Sequence, residues 1–409
     1  MSNQKSTKAT GGTGTLYITN SAPMQGTSNP LVMIPGPTPV VRSIQDQMGR
    51  ETIAFNDPRF IADFQDLLTR LKVLWRCDGL AFVVAGSGTM AMEMGIANIT
   101  DKNDRVLVCS NGHFGDRYID ICARKGFHLD TLVAPWGKTI TAEQIDEQLK
   151  KDKYTVLVVT HVETSTGVVL PLQEVCAMLK AKHPEVLFIV DGVAATAGVE
   201  EYMDWGIDIL LSCTQKAFGV APGLGIVWAS QRAMARRKAL PPIPESYVDF
   251  EKWIPVMENT LKYWGTPAVN MIWALKESVR IIEEETLDAR YARHTRWGSL
   301  VQKSMAAIGF KTFAECGCQA PTLSVFLYPE NSGIDDAKFR EMLYKEGVHA
   351  AGCLGDIAGK GFRMGHMGNI DKHTLVSAIA AVERTCLRLG YKIQPGAALA
   401  VLQAGFAAE

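Results

Sequence analysis

The sequence predicts an α/β protein in which a mostly parallel β-sheet forms the larger part and a smaller α+β unit follows it. Short apolar runs such as 105–110 (RVLVCS) and 186–190 (VLFIV) alternate with helix-like segments, which is typical of a parallel sheet covered on both faces. Polar or small residues follow these runs, so we expect the strand ends to lie along one edge of the sheet. Open α/β sheets bind their ligands at that edge.

Composition divides the chain into a polar, mobile tail at 1–28, a large domain at 29–285 and a small domain at 286–409. The net charge of -1 and the lack of a long basic run argue against nucleic acid as a partner. Without a signal-peptide core or an apolar run of about 18 residues, we expect a cytoplasmic protein with no membrane partner. The nine cysteines favour reduced thiols, and Cys316 and Cys318 lack a near histidine, so we expect no metal site.

Two glycine-containing turns lie in the first quarter of the chain. In 31–40 (LVMIPGPTPV), three prolines surround Gly36 and fix an extended turn, which either lines a site or only leads into the domain. In 80–89 (LAFVVAGSGT), a strand, a glycine loop and the start of a helix follow one another. That order presents free backbone N–H groups and the positive end of the helix to an anion, most often a phosphate.

Two charged side chains stand at the ends of neighbouring apolar runs. Asp191 ends the run at 186–190, where a partly buried carboxylate is stable only beside a cation or several donors. Lys216 follows the run at 207–211 and is flanked by small residues, so it can lie in a pocket and act as a nucleophile toward carbonyls. Each also has a plainer interpretation: a helix cap for Asp191 and a solvated loop lysine for Lys216.

The last third of the chain predicts a bridging helix and an α+β unit. Thr266 and Pro267 are a favourable N-cap and first-turn pair for a helix with one apolar stripe. Arg363 lies in a predicted strand at 361–366, where its planar guanidinium suits a carboxylate, unless this is an edge strand in water. The segment from Pro395 onward predicts a short apolar helix.

A lysine, an aspartate, a glycine loop and an arginine together suggest pyridoxal phosphate chemistry. Over roughly residues 30–390, the chain resembles the class V aminotransferases, in their alanine:glyoxylate and serine:glyoxylate branch. The motifs that carry the resemblance are IPGPTP at 34–39, GSGT and AMEM within 86–94, NGHFGDR at 111–117, THVETSTGV at 160–168, VDGVAATAG at 190–198, SCTQKAFGVAPGLG at 212–225 and FRMGHMG at 362–368. The resemblance implies the fold type I architecture, pyridoxal 5'-phosphate as cofactor, and a homodimer with shared active sites.

The resemblance also assigns roles to residues around the cofactor ring. Lys216 would bind the cofactor covalently and then carry the proton of the reaction, and Asp191 would keep the ring nitrogen protonated. Phe114 and Val193 would pack on the two faces of the ring, and Thr164 would lie near its phenolic oxygen.

Further residues would hold the phosphate and the substrate. The phosphate ligands implied within one chain are Ser87, Gly88, Thr89 and Gln215. Tyr263 and Thr266 would reach the phosphate of the neighbouring subunit. Arg363 would bind the carboxylate of the amino acid and then of the oxo acid, with Gly36 offering backbone nearby.

The reaction implied is a ping-pong transamination, from a small amino acid such as alanine or serine to a small 2-oxo acid such as glyoxylate or pyruvate. One segment departs from the family pattern, because many relatives carry a histidine where this chain has Phe55 and Asn56. An unusual amine donor, 2-aminoethylphosphonate or pyridoxamine, is therefore an open alternative. A pyridoxal phosphate lyase or desulfurase, with Cys353 as the nearest sulfur carrier, and a dinucleotide-dependent oxidoreductase, whose GxGxxG pattern is missing, are weaker alternatives.

Overall fold

The structure is a computed structural model that describes residues 29–409, so the tail expected at 1–28 lies outside it. Its strands, in chain order, are β1 (Leu31–Val32), β2 (Leu80–Ala85), β3 (Arg105–Ser110), β4 (His128–Val133), β5 (Val156–Thr160), β6 (Val162–Glu163), β7 (Val168–Val169), β8 (Leu187–Asp191), β9 (Ile209–Cys213), β10 (Leu224–Ala229), β11 (Lys311–Thr312), β12 (Leu323–Leu327), β13 (Val348–His349), β14 (Ala351–Gly352) and β15 (Gly361–Gly365). Its α-helices are α1 (Arg42–Met48), α2 (Pro58–Leu74), α3 (Gly88–Ala97), α4 (His113–Lys125), α5 (Ala142–Leu149), α6 (Leu172–Lys182), α7 (Gln231–Ala239), α8 (Phe250–Glu258), α9 (Val269–Glu285), α10 (Leu287–Ala307), α11 (Asp336–Lys345), α12 (Lys372–Arg388) and α13 (Ala397–Ala407). Among these helices, none combines the length and the apolar character that a membrane span requires.

A seven-stranded sheet forms the centre of the larger part, as the alternating apolar runs predict. Its spatial order is β2-β10-β9-β8-β5-β3-β4. Strands β9, β8, β5, β3 and β4 are parallel, and β10 is antiparallel to both of its neighbours. Every strand except β10 therefore runs in one direction, and the carboxyl ends of these strands share one edge of the sheet.

Helices cover this sheet because each presents an apolar stripe to it. In α2, Phe60, Phe64, Leu67 and Leu71 recur at helical spacing and are fully buried against β2 and α9. Helix α3 packs across β9 and β10, and α4 packs on β3. Because α3 follows β2 and α4 follows β3 directly, the N-termini of both helices lie at the edge where the strands end.

The C-terminal α+β unit is built on a four-stranded sheet of order β11-β12-β15-β14. The sequence predicts a single strand over VHAAGC, and this prediction is wrong. Val348–His349 pairs in parallel with β1, whereas Ala351–Gly352 pairs with β15. The chain changes its pairing partner at Ala350, because the N-terminal strand β1 joins this part of the molecule.

The helix start predicted at Thr266 and Pro267 is also wrong. Helix α9 begins at Val269, and its N-cap residue is Ala268, which has no side chain that can cap. The hydroxyl of Thr266 lies 3.1 Å from the Tyr263 hydroxyl instead. The favourable N-cap residue is therefore used in a side-chain contact outside the helix.

Two large hydrophobic clusters hold the described residues together. The larger one surrounds the seven-stranded sheet and includes Leu287 and Tyr291 from the start of α10. The smaller one packs around the four-stranded sheet and includes Met33, close to the first described residue. The division expected between residues 285 and 286 falls between α9 and α10 and stays a prediction.

Candidate active site

A cavity of about 170 Å³ lies at the edge of the seven-stranded sheet where the parallel strands end. The predicted site residues that line it are Ser87, Gly88, Thr89, Phe114, Thr164, Asp191, Val193, Gln215 and Lys216. They come from the segments that follow β2, β3, β5, β8 and β9. The topology of the sheet therefore collects residues that are far apart in the sequence.

The glycine loop forms one end of this cavity. Strand β2 ends at Ala85, and α3 begins at Gly88. Ser87 is the N-cap residue, and its Oγ accepts a hydrogen bond from the Met90 N–H at 3.4 Å. N–H groups in the first turn of a helix have no acceptor within the helix, so those of Gly88 and Thr89 are suited to an anion such as a phosphate.

Lys216 lies on the loop that joins the antiparallel strands β9 and β10. Thr38 fixes the backbone of this loop, since its Oγ1 donates a hydrogen bond to the Lys216 carbonyl at 2.7 Å. The Lys216 Nζ donates to the Pro35 carbonyl at 2.7 Å. Burial lowers the pKa of Lys216, and the charge of Arg363 acts in the same direction. The amine therefore loses its proton more easily than a lysine in water.

Gly36 lies directly against this lysine. A Cβ at Gly36 would stand 2.6 Å from the Cδ and 2.7 Å from the Nζ of Lys216, and the backbone has a φ of +142°. A side chain at this position would therefore collide with Lys216 and strain the backbone. The proline-rich turn at 34–39 lines the site, which decides between the two interpretations of that segment.

Asp191 is the last residue of β8 and is almost fully buried. Its Oδ1 accepts one hydrogen bond, from the Val193 N–H at 2.9 Å. Burial raises the pKa of Asp191 to about 7; the Val193 N–H lowers it, and the charges of Glu163 and Glu201 raise it. A cationic N–H partner in the cavity would favour the anion and reverse this shift.

Phe114 lies in the first turn of α4, and its ring is connected to the glycine loop through an arginine. The guanidinium of Arg117 lies 4.7 Å from the centre of the Phe114 ring. The Arg117 Nη1 also donates a hydrogen bond to Thr89 Oγ1 at 3.0 Å. Arg117 lines the cavity as well, although the resemblance did not assign it a role.

Arg363 lies in β15 of the C-terminal unit and contacts Thr164, a residue that lines the cavity. Its Nε donates a hydrogen bond to the Gly352 carbonyl at 2.8 Å, and its Nη1 donates to the Thr164 carbonyl at 3.3 Å. Burial lowers the pKa of Arg363. No carboxylate of residues 29–409 forms an ion pair with it, so its charge is suited to a carboxylate from outside the chain.

Tyr263 and Thr266 do not line the cavity of their own chain. Their hydroxyl groups are 3.1 Å apart, and 57% of Tyr263 is exposed. The Tyr263 ring lies 5.3 Å from that of Phe55, the residue that departs from the family histidine. The structure therefore groups these three residues on the surface, apart from Lys216.

The sequence did not single out several residues that line the cavity. They are Met92, Arg117, Thr160, Val162, Ala194 and Cys213. Thr160 ends β5 as Asp191 ends the neighbouring β8, and the two residues are partners in the sheet register. The same strand-end position that identified Asp191 could therefore have identified Thr160.

The residues around the cavity fit pyridoxal phosphate. Within the described residues, the buried Gln215 Oε1 and Thr160 Oγ1 have no hydrogen-bond partner, and buried polar atoms are normally paired. The first turn of α3 suits a phosphate, the Lys216 amine suits an aldehyde, and the Asp191 carboxylate suits a protonated ring nitrogen. The cavity therefore offers one suitable group each to the phosphate, the aldehyde and the ring nitrogen of this cofactor.

A larger cavity, of about 390 Å³, lies at the opposite edge of the sheet, where β8 and β9 begin. Several of its polar side chains already have partners: Arg232 is paired with Asp208, and His183 Nε2 lies 2.9 Å from Asp146 Oδ1. None of the predicted site residues lines it. The chemistry therefore belongs to the smaller cavity.

Comparison with known proteins gives consistent results. The model of the family described as aminotransferase class-V matches residues 81–357. A protein named L-aspartate--glyoxylate aminotransferase from Paracoccus denitrificans is 33% identical over 385 residues, which cover 92% of this chain and 96% of that protein. A protein named soluble hydrogenase, small subunit, from Synechococcus sp. is 32% identical over 377 residues, which cover 90% of this chain and 96% of that protein. The crystal structure of ureidoglycine-glyoxylate aminotransferase from Bacillus subtilis matches with a TM-score of 0.89 and 28% identity, over 94% of this chain and 100% of that one.

The matched region contains the glycine loop, Asp191 and Lys216. The structural likeness extends over nearly the whole chain and confirms the fold type I architecture that the resemblance implied. The chain therefore belongs to the class V aminotransferase family and is a pyridoxal phosphate-dependent aminotransferase.

Proposed function

We propose that this enzyme transfers the amino group of a small amino acid, alanine or serine, to glyoxylate. The observation that carries the proposal is a small cavity lined by the buried amine of Lys216 and the buried carboxylate of Asp191. The guanidinium of Arg363 donates a hydrogen bond to the carbonyl of Thr164, which lines the same cavity. An amine, a buried anion and a carboxylate-binding cation are what transamination of an amino acid requires.

The acceptor is proposed from the relatives. The names of the Paracoccus denitrificans protein and of the Bacillus subtilis enzyme both contain glyoxylate, whereas the amino donors in those names differ. The cavity of about 170 Å³ suits a donor with a short side chain. We propose no hydrogenase activity from the name of the Synechococcus relative, because Lys216 and Asp191 are suited to amino transfer.

The residues of the chain have separate tasks in this reaction. When bound, pyridoxal phosphate supplies an aldehyde that condenses with amines and a ring that withdraws electrons from the substrate's α-carbon. The lowered pKa of Lys216 lets its Nζ accept the α-proton as a base and then donate it, as an acid, to a different carbon. Asp191 provides the negative charge that holds a proton on the ring nitrogen.

Substrate binding is assigned to Arg363. Its Nε and Nη1 are held by the carbonyl groups of Gly352 and Thr164, which fix the plane of the guanidinium. A planar guanidinium can bind a carboxylate through two parallel hydrogen bonds. The amino acid and the 2-oxo acid both carry a carboxylate directly on the reacting carbon, so one arginine serves both half-reactions.

We also propose a homodimer in the cytoplasm. Leu261, Tyr263 and Trp264 are exposed apolar residues in one short segment, which is typical of a surface that another protein covers. A second chain on this surface would place Tyr263 and Thr266 within reach of its own cavity. The nine cysteines are all unpaired, which suits a reducing compartment.

The test is the visible spectrum of the purified enzyme loaded with pyridoxal phosphate. Alanine, serine, aspartate, 2-aminoethylphosphonate and pyridoxamine are added singly, without an acceptor, and glyoxylate is added afterwards. We expect the visible band to fall with alanine or serine and to return with glyoxylate, and the Lys216→Ala variant to show neither change. If the visible band falls only with another amine, that amine takes the place of alanine or serine as the proposed donor. A protein that takes up no cofactor would overturn the proposal.

A further inference from the structure

Glu163 is a buried carboxylate beside the cavity to which neither the resemblance nor the proposed reaction gives a task. It is fully buried at the end of the short strand β6. Its Oε2 accepts hydrogen bonds from the N–H groups of Phe114 at 2.8 Å and Gly115 at 3.2 Å. Its Oε1 accepts from the N–H and the Oγ of Ser165, at 2.9 Å and 2.8 Å.

These contacts fix the first turn of α4 from outside the helix. The N–H of His113, the first residue of α4, donates to Ser165 Oγ at 3.0 Å. Glu163 and Ser165 therefore satisfy the N–H groups of three successive residues that have no acceptor within the helix. The N-cap residue, Gly112, has no side chain that could do this.

The approach of the two segments is close. A Cβ on Gly112 would stand 2.5 Å from Ser165 Oγ and 2.6 Å from Glu163 Cγ, so only a glycine fits between them. The backbone before Phe114 is thus packed directly on the carboxylate that binds it. Phe114 cannot shift relative to Glu163 without breaking a charge-assisted hydrogen bond in a dry environment.

The segment that contains Glu163 and Ser165 also holds a second lining residue of the site, Thr164. Thr164 lies between Glu163 and Ser165, lines the cavity, and accepts a hydrogen bond on its carbonyl from Arg363. The two bonds from Ser165 to Glu163 close a tight turn around Thr164. The carboxylate of Glu163 therefore fixes the position of Phe114, which forms an aromatic wall of the cavity. It also fixes the turn that contains Thr164, whose carbonyl accepts the hydrogen bond from Arg363.

We propose that Glu163 is a positioning residue of the active site, which holds Phe114 and Thr164 in the places that the bound cofactor and substrate require. The proposal rests on the proposed function, because it takes the cavity to be the cofactor site. Glu163 acts only through these neighbours and touches neither cofactor nor substrate. Without it, the first turn of α4 would have to become ordered when the cofactor binds, and that cost would weaken binding.

The variant Glu163→Gln tests this with almost no change in shape. A carboxylate accepts on both oxygens, whereas the amide has one acceptor and one donor. Whichever way the amide is turned, its NH₂ group faces N–H donors, either those of Phe114 and Gly115 or that of Ser165. At least one buried N–H thereby loses its acceptor.

Glu383 provides a matched control in another part of the chain. It is a buried carboxylate in α12, and it accepts hydrogen bonds from the N–H groups of Gly396, Ala398 and Leu399 at the start of α13. The substitution Glu383→Gln makes the same chemical change at the start of another helix. No residue that binds Glu383 lines the cavity.

The experiment measures the thermal unfolding of the cofactor-free proteins and the affinity for pyridoxal phosphate, by titration well below the unfolding temperature. We expect both variants to unfold at a lower temperature than the wild type. Only Glu163→Gln should bind the cofactor more weakly, by about tenfold or more, because the first turn of α4 must then become ordered when the cofactor binds. It should also reduce the circular dichroism of the bound cofactor and raise the donor KM.

The possible results separate the two proposals. A wild-type protein that binds no pyridoxal phosphate overturns the proposed function and the role of Glu163 together. A wild type that binds it while Glu163→Gln binds equally well overturns only the role of Glu163, as does an equal loss of affinity in Glu383→Gln. If Glu163→Gln does not fold, the test uses Glu163→Asp, which keeps the negative charge but moves it away from the N–H of Phe114. If Glu163→Asp binds the cofactor as tightly as the wild type, the role of Glu163 is also overturned.

Discussion

The Nζ of Lys216 donates a hydrogen bond to the carbonyl oxygen of Pro35 at 2.7 Å. The two residues belong to different turns, one before α1 and one between β9 and β10. The contact is possible because Gly36 has no side chain to separate them. The turn at 34–39, which follows β1, therefore determines how much space surrounds the Lys216 side chain.

We expect Gly36→Ala to disturb the lysine more than the fold. The new methyl group would stand 2.6 Å from Lys216 Cδ, so the lysine must move away from its present position. The measurement is the rate at which pyridoxal phosphate combines with the cofactor-free protein. This rate should fall by about tenfold or more, because backbone strain at residue 36 and the displaced lysine amine add about 1–3 kcal/mol to the free energy of the reacting state. Gly49→Ala is the control, because its Cβ would meet nothing nearer than 3.7 Å. Equal rates for Gly36→Ala and the wild type would show that Lys216 does not need this space.

We expect Arg363→Ala to weaken the binding of substrates that carry a carboxylate. Truncation of one partner of a buried charge pair costs roughly 2–5 kcal/mol, so the KM for alanine and for glyoxylate should both rise by about 30-fold or more. Arg384→Ala, which removes an arginine paired with Glu346 on the surface, is the control and should leave both KM values unchanged. Unchanged KM values for Arg363→Ala would mean that another group binds the carboxylate.

We expect Asp191 to make the free energy of unfolding of the cofactor-free protein depend on pH. Its pKa is raised to about 7, so between about pH 4 and pH 7 the folded protein binds more protons than the unfolded chain. The contribution of Asp191 to the free energy of unfolding therefore rises as the pH falls through 7, and its anion is unfavourable above pH 7. We expect Asp191→Asn to be more stable than the wild type at pH 8, by at most about 4 kcal/mol, and to lose this advantage toward pH 5.

The measurement for Asp191 is the free energy of unfolding of both cofactor-free proteins between pH 5 and pH 8. Asp208→Asn serves for comparison, because Asp208 is a buried carboxylate paired with Arg232 and its loss should destabilise the protein at pH 8. A stability difference between Asp191→Asn and the wild type that does not change with pH would contradict the raised pKa.

The central sheet and most of the cavity wall could be predicted from the sequence because their signals are local. An apolar run that ends in a polar residue predicts a strand end, and this placed Asp191 and Lys216 on one edge of the sheet. The glycine loop was identified in the same way, because a strand, a loop and a helix follow one another there. These residues needed no knowledge of distant partners.

Other features depend on contacts between distant residues and therefore left no local signal. The strand pairing changes within VHAAGC at 348–353 because β1 pairs with the first part of this segment. Thr266 does not cap α9, because its hydroxyl contacts the hydroxyl of Tyr263. Glu163 stood within a recognised motif, but its task depends on the N–H groups of Phe114 and Gly115, which the sequence does not place beside it. Arg117 likewise stood within a recognised motif, NGHFGDR at 111–117, but its hydrogen bond to Thr89 depends on the fold.

The pairing of β1 with β13 has a consequence for how the enzyme is made. Leu31–Val32 is synthesised before the strands of the seven-stranded sheet, whereas its partner Val348–His349 is synthesised after all of them. The turn that touches Lys216 follows β1 directly, so β1 cannot hold it in place until β13 has been synthesised. A nascent chain therefore has its central sheet long before it has a finished site, and an interrupted chain would retain much of the fold without the enzyme's activity.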